Sequence, residues 1–311
     1  MDVSFLTWNL KRQSNEKILS ALGEIYTEHK PDFLLLVETG VEDKKIEALA
    51  NGNLKSVMLS PDKSIRLYVN PIFNVNMVNE EDVKDGRYGH INERIVFFQC
   101  EIEKVKFVLV GVHFPSKLSH PPNTQYNIMK RWLGWIRGQE KICETNNSII
   151  FGDLNLNPFD IAIYRDGGLN AHPTIDHSGR VKPLYYNPMW STLGDFIYKS
   201  GEEKVPGTYF YNLPIDNADD FHWNAIDAVL IKKSLVKHFS KKDLEIITGT
   251  TSHKFYESHK IDATNYSDHL PLKFKLNTRK IYAIFGRIHI QMNPIRMRMF
   301  LWLFWKDKLK R

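Results

Sequence analysis

The sequence predicts one layered α/β domain. Apolar runs of strand length alternate with segments of helical periodicity, and no internal repeat or Gly/Ser-rich or Pro-rich linker divides the 311 residues. Hydrophobic residues make up 42% and charged residues 25% of the chain, which is enough to bury a full core. Strands mixed with peripheral helices are typical of sheets covered by helices, so we expect a single large domain.

The elements follow from local patterns taken in chain order. A strand at residues 3–6 leads to Asn9, and Ser14 is a candidate N-cap for a helix whose apolar residues recur at helical spacing up to Tyr26. Pro31 ends that helix, and the unbroken apolar run that follows indicates a strand buried on both faces. The remaining predicted elements are strands at 33–37 and 65–69, a hairpin of 95–102 with 105–113, a helix at 123–144, and strands at 148–151, 208–211, 226–231 and 270–276.

Five short polar motifs follow these predicted strands. Acids, amides and histidines at the loop edge of a sheet form a charged pocket, which suits divalent-metal phosphoester chemistry. A Gly-Asp-x-Asn alone would carry little weight, because turns often contain such residues. The motifs are Thr-Trp-Asn at 7–9, Val-Glu-Thr at 37–39, Val-His-Phe-Pro at 112–115, Gly-Asp-Leu-Asn at 152–155 and Ser-Asp-His-Leu-Pro at 267–271.

In order and residue type these motifs resemble the endonuclease/exonuclease/phosphatase superfamily, which includes deoxyribonuclease I, apurinic endonucleases, inositol 5-phosphatases and neutral sphingomyelinases. The resemblance runs from Phe5 to about Leu276. It implies a four-layer sandwich of two packed mixed, mostly antiparallel β-sheets with helices on the outside. Segments 153–159 and 185–190 resemble a bacterial subgroup whose substrate the motifs do not fix.

The resemblance implies a Mg²⁺ or Mn²⁺ site made by Glu38, Asp268 and Asn9. Glu38 ends an apolar strand, and the next basic residues along the chain are Lys44 and Lys45, so no local partner explains the acid. Mg²⁺ binds through one or two carboxylates plus phosphate and water. Asn9 has the alternative role of capping the following turn, and by resemblance it also lies beside the substrate phosphate.

The catalytic residues implied by the resemblance are Asp153, Asn155, His113, His269 and Asp227. Asp153 and Asn155 are two residues apart after a buried strand. Asp153 can deprotonate a water, and Asn155 can donate a hydrogen bond to a phosphoryl oxygen. The alternative is an Asx-turn without a catalytic role. The two histidines stabilise charge on the phosphate. A carboxylate within the apolar strand at 226–231 needs a partner, which the resemblance supplies as the His269 imidazole.

Other features narrow the substrate and cofactor. Arg94 resembles a phosphate-binding arginine of deoxyribonuclease-like members, and a surface ion pair with Glu93 is the alternative. Apurinic endonucleases carry Tyr where His113 stands, and the segment before Asp227 lacks the arginine of inositol 5-phosphatases, so both activities are disfavoured. The spacing of the other histidines gives no zinc signature, and without a phosphate-cradling glycine loop we expect no nucleotide cofactor.

The charge is divided unevenly along the chain. Residues 278–311 hold nine Lys/Arg and one acid, a charge of +8, so that residues 1–277 carry −2 of the total +6. We therefore expect a catalytic domain at 1–277 and a basic amphipathic C-terminal tail at 278–311. The tail's Trp, Phe and Lys/Arg content suits contact with a membrane surface, and a protein partner, packing on the body, a nucleic-acid arm and disorder stay open.

The predicted function is that of a divalent-metal-dependent phosphoric ester hydrolase, most simply a nuclease acting on DNA or RNA phosphodiesters. The first alternative is a phosphodiesterase or phosphatase acting on a small-molecule or lipid phosphoester. The second is a catalytically silent binding protein of the same fold. Two cysteines and no recognisable leader predict a cytoplasmic protein, with peripheral membrane association through the tail as a further expectation.

Overall fold

The computed structural model describes residues 1–57, 64–78, 94–174, 184–195, 204–212 and 221–278. The predicted tail therefore lies outside the described residues, apart from Thr278. The strands are β1 (Asp2–Asn9), β2 (Phe33–Val37), β3 (Lys55–Ser56), β4 (Ile65–Val69), β5 (Asn74–Met77), β6 (Ile95–Ile102), β7 (Val105–His113), β8 (Ser148–Asp153), β9 (Ala171–His172), β10 (Tyr185–Tyr186), β11 (Tyr209–Phe210), β12 (Trp223–Asn224), β13 (Asp227–Lys232), β14 (Glu245–Ile246), β15 (Tyr256–Glu257), β16 (Lys260–Ile261) and β17 (Leu272–Asn277).

Two mixed sheets form the centre of the fold. The six-stranded sheet has the order β14-β17-β1-β2-β4-β3, and the seven-stranded sheet has the order β5-β6-β7-β8-β13-β10-β9. Most neighbouring strands are antiparallel, whereas β1–β2, β7–β8 and β9–β10 are parallel pairs. Two short ribbons, β11–β12 and β15–β16, lie outside these sheets.

The alternation of side chains along β1 explains how the layers pack. Phe5 faces the other sheet, with its ring stacked 4.7 Å from Phe274 and edge-on to Phe151 at 6.2 Å. Leu6 and Trp8 point the opposite way, into a second apolar cluster that buries one face of the first helix. The α-helices are α1 (Glu16–His29), α2 (Asp43–Leu49), α3 (Pro122–Ile142) and α4 (Ile161–Tyr164).

The α3 helix covers the seven-stranded sheet, where Trp132 packs edge-on against Phe114 at 4.8 Å. With α1 on the six-stranded sheet, the order is helix, sheet, sheet, helix, which confirms the predicted four-layer sandwich. Among the described residues, no helix is long and apolar enough to cross a membrane. Cys100 and Cys143 are buried free thiols.

Local differences from the predicted elements concern the ends of helices and strands. The N-cap of α1 is Asn15 rather than Ser14, because the Asn15 side chain accepts a hydrogen bond from the Ile18 N–H at 2.9 Å. The helix ends at His29, before Pro31, as predicted. The late strands are displaced by one or two residues, and β11 is only two residues long.

Candidate active site

Strand register brings three of the predicted residues into one row. In the parallel pair β7–β8, His113 lies opposite Asp153, and in the antiparallel pair β8–β13, Asp153 lies opposite Asp227. Directly paired residues project their side chains from the same face of a sheet. The three side chains therefore meet although they are far apart in sequence.

The six-stranded sheet contributes the opposite wall. Asn9 pairs with Val37 in the parallel pair β1–β2, so Asn9 and the following Glu38 lie at the same edge. The segment before β17 is tied to this edge by two hydrogen bonds: Ser267 Oγ donates to the Asn9 carbonyl at 2.6 Å, and Trp8 Nε1 donates to the His269 carbonyl at 2.9 Å. All five motifs thus meet at one cleft.

The cleft has a volume of about 370 Å³. Its walls include every residue predicted for the site except Asp227, which lies beneath His269 and is fully buried. The predicted residues in the wall are Asn9, Glu38, Arg94, His113, Asp153, Asn155, Asp268 and His269.

His269 is a buried, charged imidazole. Its Nδ1 lies 2.8 Å from Asp227 Oδ2, as the sequence predicted. Burial alone lowers the pKa of His269, but the carboxylates of Asp227, Asp153 and Asp268 outweigh burial and raise the pKa to about 9. The ring is therefore protonated near neutral pH and can donate a hydrogen bond through Nε2.

His113, in contrast, is a neutral imidazole. Burial lowers its pKa to about 4, and the positive charges of Arg94, His269 and Arg12 act in the same direction. Its Nε2 lies 3.9 Å from Asp153 Oδ2, and these atoms do not form an ion pair because the ring is neutral. His113 can serve as a neutral donor toward the cleft.

Asp153 is held by two amides. Asn9 Nδ2 donates to Asp153 Oδ2 at 2.8 Å, and the Asn155 backbone N–H donates to Oδ1 at 2.8 Å. Burial raises the pKa of Asp153 to about 7, although positive His269 and these hydrogen bonds oppose the rise. A carboxylate with a pKa near neutrality is suited to accept a proton from water.

The side chain of Asn155 points differently from the sequence-based expectation. Its Nδ2 donates to the Phe114 carbonyl at 2.8 Å and lies 3.3 Å from Asp153 Oδ2. Its backbone φ is +47°, a left-handed conformation that Asn tolerates better than most residues. In this structure Asn155 therefore orients Asp153, and its Nδ2 is directed at protein groups rather than at the cleft.

Glu38 stands in the cleft with few partners. Its backbone is left-handed, with φ +47°, a strained conformation for this residue type. Its Oε1 lies 3.9 Å from Arg12 Nη2 and 4.0 Å from His113 Nε2. Glu38 therefore makes only long contacts with these two residues, which come from other segments of the chain. The carboxylate is thus available to a ligand.

Asp268 has a partner that the sequence analysis did not identify. Lys11 Nζ lies 2.5 Å from Asp268 Oδ2, while the other oxygen, Oδ1, is buried and has no hydrogen-bond partner within the described part of the chain. The Lys11 N–H also donates to Asn9 Oδ1 at 2.9 Å. The only sequence feature that could have indicated the ion pair of Lys11 with Asp268 is the position of Lys11, two residues after the motif residue Asn9.

Two sets of residues have the chemistry to hold a metal ion. Glu38, Asp268 and Asn9 offer carboxylate and amide oxygens, which suit a hard divalent cation, and the unpartnered Asp268 Oδ1 fits such a role. Ligand atoms of Asp153, Asp227 and His269 also lie within 4.8 Å of one another. In the second set, His269 Nδ1 and Asp227 Oδ2 already lie 2.8 Å apart, so these two atoms would have to give up their mutual hydrogen bond to bind a metal.

Other side chains complete the cleft. The Tyr209 ring lies 4.7 Å from the His269 ring, and the rim carries Lys117, Leu118 and Phe221. Leu118 and Phe221 are 82% and 56% exposed. Sequence reasoning missed Lys117 and Leu118, since they belong to a loop without a motif.

A profile of the Endonuclease/Exonuclease/phosphatase family matches residues 6–269. The chain belongs to this family. Its members are phosphoesterase hydrolases that use divalent metals, so the chain is a metal-dependent hydrolase of phosphoric esters. Comparison with curated protein sequences gives no match.

Solved structures share the family fold at low sequence identity. D. rerio TDP2 complexed with a single-strand DNA product has 15% identity and a TM-score of 0.54, covering 89% of this chain and 99% of that one. An AP endonuclease from Archaeoglobus fulgidus has 17% identity and a TM-score of 0.52, covering 89% and 100%. The 3' phosphatase NExo from Neisseria, bound to a product DNA hairpin, has 13% identity and a TM-score of 0.51, covering 88% and 99%.

Proposed function

We propose that the protein is a nuclease that hydrolyses phosphodiester bonds of DNA or RNA by attack of water on phosphorus. The observation that carries this proposal is the meeting of Asp153, the His269–Asp227 pair and the oxygen ligands of Glu38 and Asp268 in one cleft. A base, a charged donor and metal ligands are the groups that phosphodiester hydrolysis needs.

Each residue has a role in this scheme. Asp153, oriented by Asn9 and Asn155, accepts the proton of the attacking water. His269, kept protonated by Asp227, and neutral His113 donate hydrogen bonds to the phosphate oxygens as negative charge develops. Glu38, Asp268 and Asn9 would hold Mg²⁺ or Mn²⁺, which polarises the phosphoryl group when bound.

The polymeric substrate is supported by the surroundings of the cleft. Arg94, Lys11 and Lys117 line it, and cationic side chains in a cleft suit a polyanion. Tyr211 and Phe221 add aromatic rings that can stack on unpaired bases. Two solved structures of the same fold contain product DNA.

A second candidate is a small or lipid phosphoester. It is favoured by the exposed Leu118 and Phe221 on the rim of the cleft, which offer apolar contact to a hydrophobic leaving group. The cytoplasmic location, the bacterial subgroup, the division at residue 277 and the membrane or protein contacts of the tail stay predictions from the sequence.

The test is an assay of purified protein on plasmid, single-stranded DNA, RNA, a cyclic dinucleotide and a phosphoinositide, with Mg²⁺, Mn²⁺ or EDTA. We expect nucleic acid to be cleaved only with metal, and Asp153→Asn to lower turnover by about two orders of magnitude. Hydrolysis of the phosphoinositide alone would favour the second candidate. Binding of nucleic acid without hydrolysis of any substrate would indicate a catalytically silent protein.

A further inference from the structure

A second cavity adjoins the catalytic cleft. It has a volume of about 350 Å³ and lies between β11 and the β15–β16 hairpin. Lys11, Tyr209, Tyr211 and Asp268 line both cavities. These four residues form a ridge, and a substrate chain that crosses the ridge would occupy both cavities at once.

The lining suits a phosphate joined to a ring. Tyr209 and Tyr211 are two residues apart on an extended segment, so they project to the same side. Ile261 lies in the opposite wall. Lys260 is an exposed lysine with no ion pair among the residues that the structure describes, and with Lys11 it gives the cavity two ammonium groups against the Asp268 carboxylate.

The hairpin that carries Lys260 is anchored in the core. Phe255, just before β15, is fully buried, and its ring lies 5.1 Å from Trp8 and 5.0 Å from Tyr266. The turn at Ser258 and His259 has positive φ at both residues. Lys260 is therefore placed by a fixed element that is connected to the same tryptophan that supports His269.

Lys11 links the second cavity to the catalytic residues. Its ammonium pairs with Asp268, and its backbone N–H bonds the Asn9 side chain that also orients Asp153. A ligand in the second cavity would thus contact Lys11, which is bonded to Asp268 and to the Asn9 side chain that orients Asp153. This continuity argues for the substrate itself as the occupant.

We propose that the second cavity is a substrate subsite for the nucleotide next to the scissile phosphate, with the neighbouring phosphate at Lys260 and the base against Tyr211. The proposal rests on the proposed nuclease function. The subsite would strengthen binding of a strand that extends beyond the cleaved bond, and would not affect a substrate small enough to fill only the catalytic cleft.

The test compares Lys260→Glu with Lys106→Glu. Lys106 is an exposed lysine on β7, seven residues before His113, and at about 3.4 Å per residue it lies roughly 24 Å from the cleft. Both variants and the wild type are assayed with bis(p-nitrophenyl) phosphate and a short single-stranded oligonucleotide, with Mg²⁺. Binding of the labelled oligonucleotide is also measured in EDTA by fluorescence anisotropy.

We expect Lys260→Glu to raise KM for the oligonucleotide by about tenfold at unchanged kcat, and to lower the salt dependence of binding by about one phosphate contact. Hydrolysis of bis(p-nitrophenyl) phosphate should match the wild type, and Lys106→Glu should change neither reaction. Tyr211→Ala should weaken oligonucleotide binding about tenfold, and much less for a strand without bases.

Equal KM and equal binding for the two lysine variants would overturn the subsite while leaving the nuclease proposal intact. A wild type that binds the oligonucleotide through Lys260 in EDTA but does not cleave it would contradict the nuclease proposal, and the second cavity would then be a nucleic-acid binding site rather than a substrate subsite. A wild type that neither binds nor cleaves the strand would overturn both.

Discussion

His269 Nδ1 and Asp227 Oδ2 lie 2.8 Å apart, although 42 residues separate the two in sequence. The Tyr209 ring packs against the imidazole, and Asp227 lies on β13, opposite Asp153 of the neighbouring strand β8. This pair fixes both the orientation of the imidazole and its charge.

The pair should act as a unit in catalysis. His269→Ala and Asp227→Ala should each lower kcat by about two orders of magnitude, and the double variant should be little worse, because loss of either residue disables the other. Steady-state kinetics measures these kcat values on whichever substrate of the panel the wild type hydrolyses, with folding checked by circular dichroism. Multiplication of the two single losses in the double variant would show that the residues act independently.

The titration of His269 should follow its carboxylate neighbours. The carboxylates raise its pKa to about 9 against the effect of burial, so in metal-free protein the ring should stay protonated through neutral pH. Asp227→Asn should lower that pKa, since the largest raising influence is removed. Nitrogen-15 NMR of the imidazoles measures both values, and His113, whose pKa burial lowers to about 4, should stay neutral in the same spectra.

The raised pKa of His269 also makes the free energy of unfolding depend on pH. A group whose pKa is raised on folding stabilises the protein fully below its unfolded pKa, about 6.5 for histidine, and the contribution is lost as the pH rises through about 9. A His269 that titrates at its ordinary pKa in the wild type would contradict the charged pair.

Glu38 should control metal affinity. Glu38→Gln keeps the size of the side chain and removes its charge, so Mn²⁺ binding measured by calorimetry should weaken by about tenfold or more. Thermal stability should change little, because Glu38 makes only contacts of 3.9 Å or longer with its charged neighbours. Glu42→Gln, an exposed acid four residues later, is the control. Equal affinity of both variants would remove Glu38 from the metal site.

Gly152 should be intolerant of a side chain. It has φ +126°, and an added Cβ would lie 2.4 Å from the Val112 carbonyl oxygen of the neighbouring strand. Gly152→Ala should therefore destabilise the fold by at least about 1–3 kcal/mol, measured by urea unfolding. Gly134→Ala is the control, since nothing lies within 4 Å of its added Cβ on helix α3. There the substitution should stabilise by up to about 1 kcal/mol.

Removal of the tail should leave the catalytic domain active. The last strand ends at Asn277, and Thr278 bonds to the Met1 carbonyl and to Glu103, so truncation after Thr278 preserves these contacts. Hydrolysis of bis(p-nitrophenyl) phosphate should match the full chain. Loss of flotation with anionic liposomes would assign the tail to a membrane surface, and weaker, less salt-sensitive DNA binding would assign it to nucleic acid. An unfolded truncated protein would contradict the predicted boundary.

Local sequence patterns predicted the fold, and the family resemblance supplied the members of the candidate site. Apolar strands that end in Asn9, Glu38, His113 and Asp153 are a local pattern, and the order of the motifs limits the chain to one family. A carboxylate inside the apolar strand β13 needs a partner because burial of an unpaired charge is costly, and the family resemblance supplied that partner as His269.

The charges and orientations of those groups depend on contacts between segments far apart in sequence. Burial, helped by nearby cations, lowers the pKa of His113, whereas the carboxylates around His269 outweigh burial and raise its pKa. Lys11 and Asp268 are 257 positions apart in sequence, so no local sequence pattern could predict that they form an ion pair. The second cavity forms because strand β11 and the β15–β16 hairpin, which are far apart in sequence, pack side by side. The free energy of that packing arises only when the whole chain folds, so no single segment predicts it.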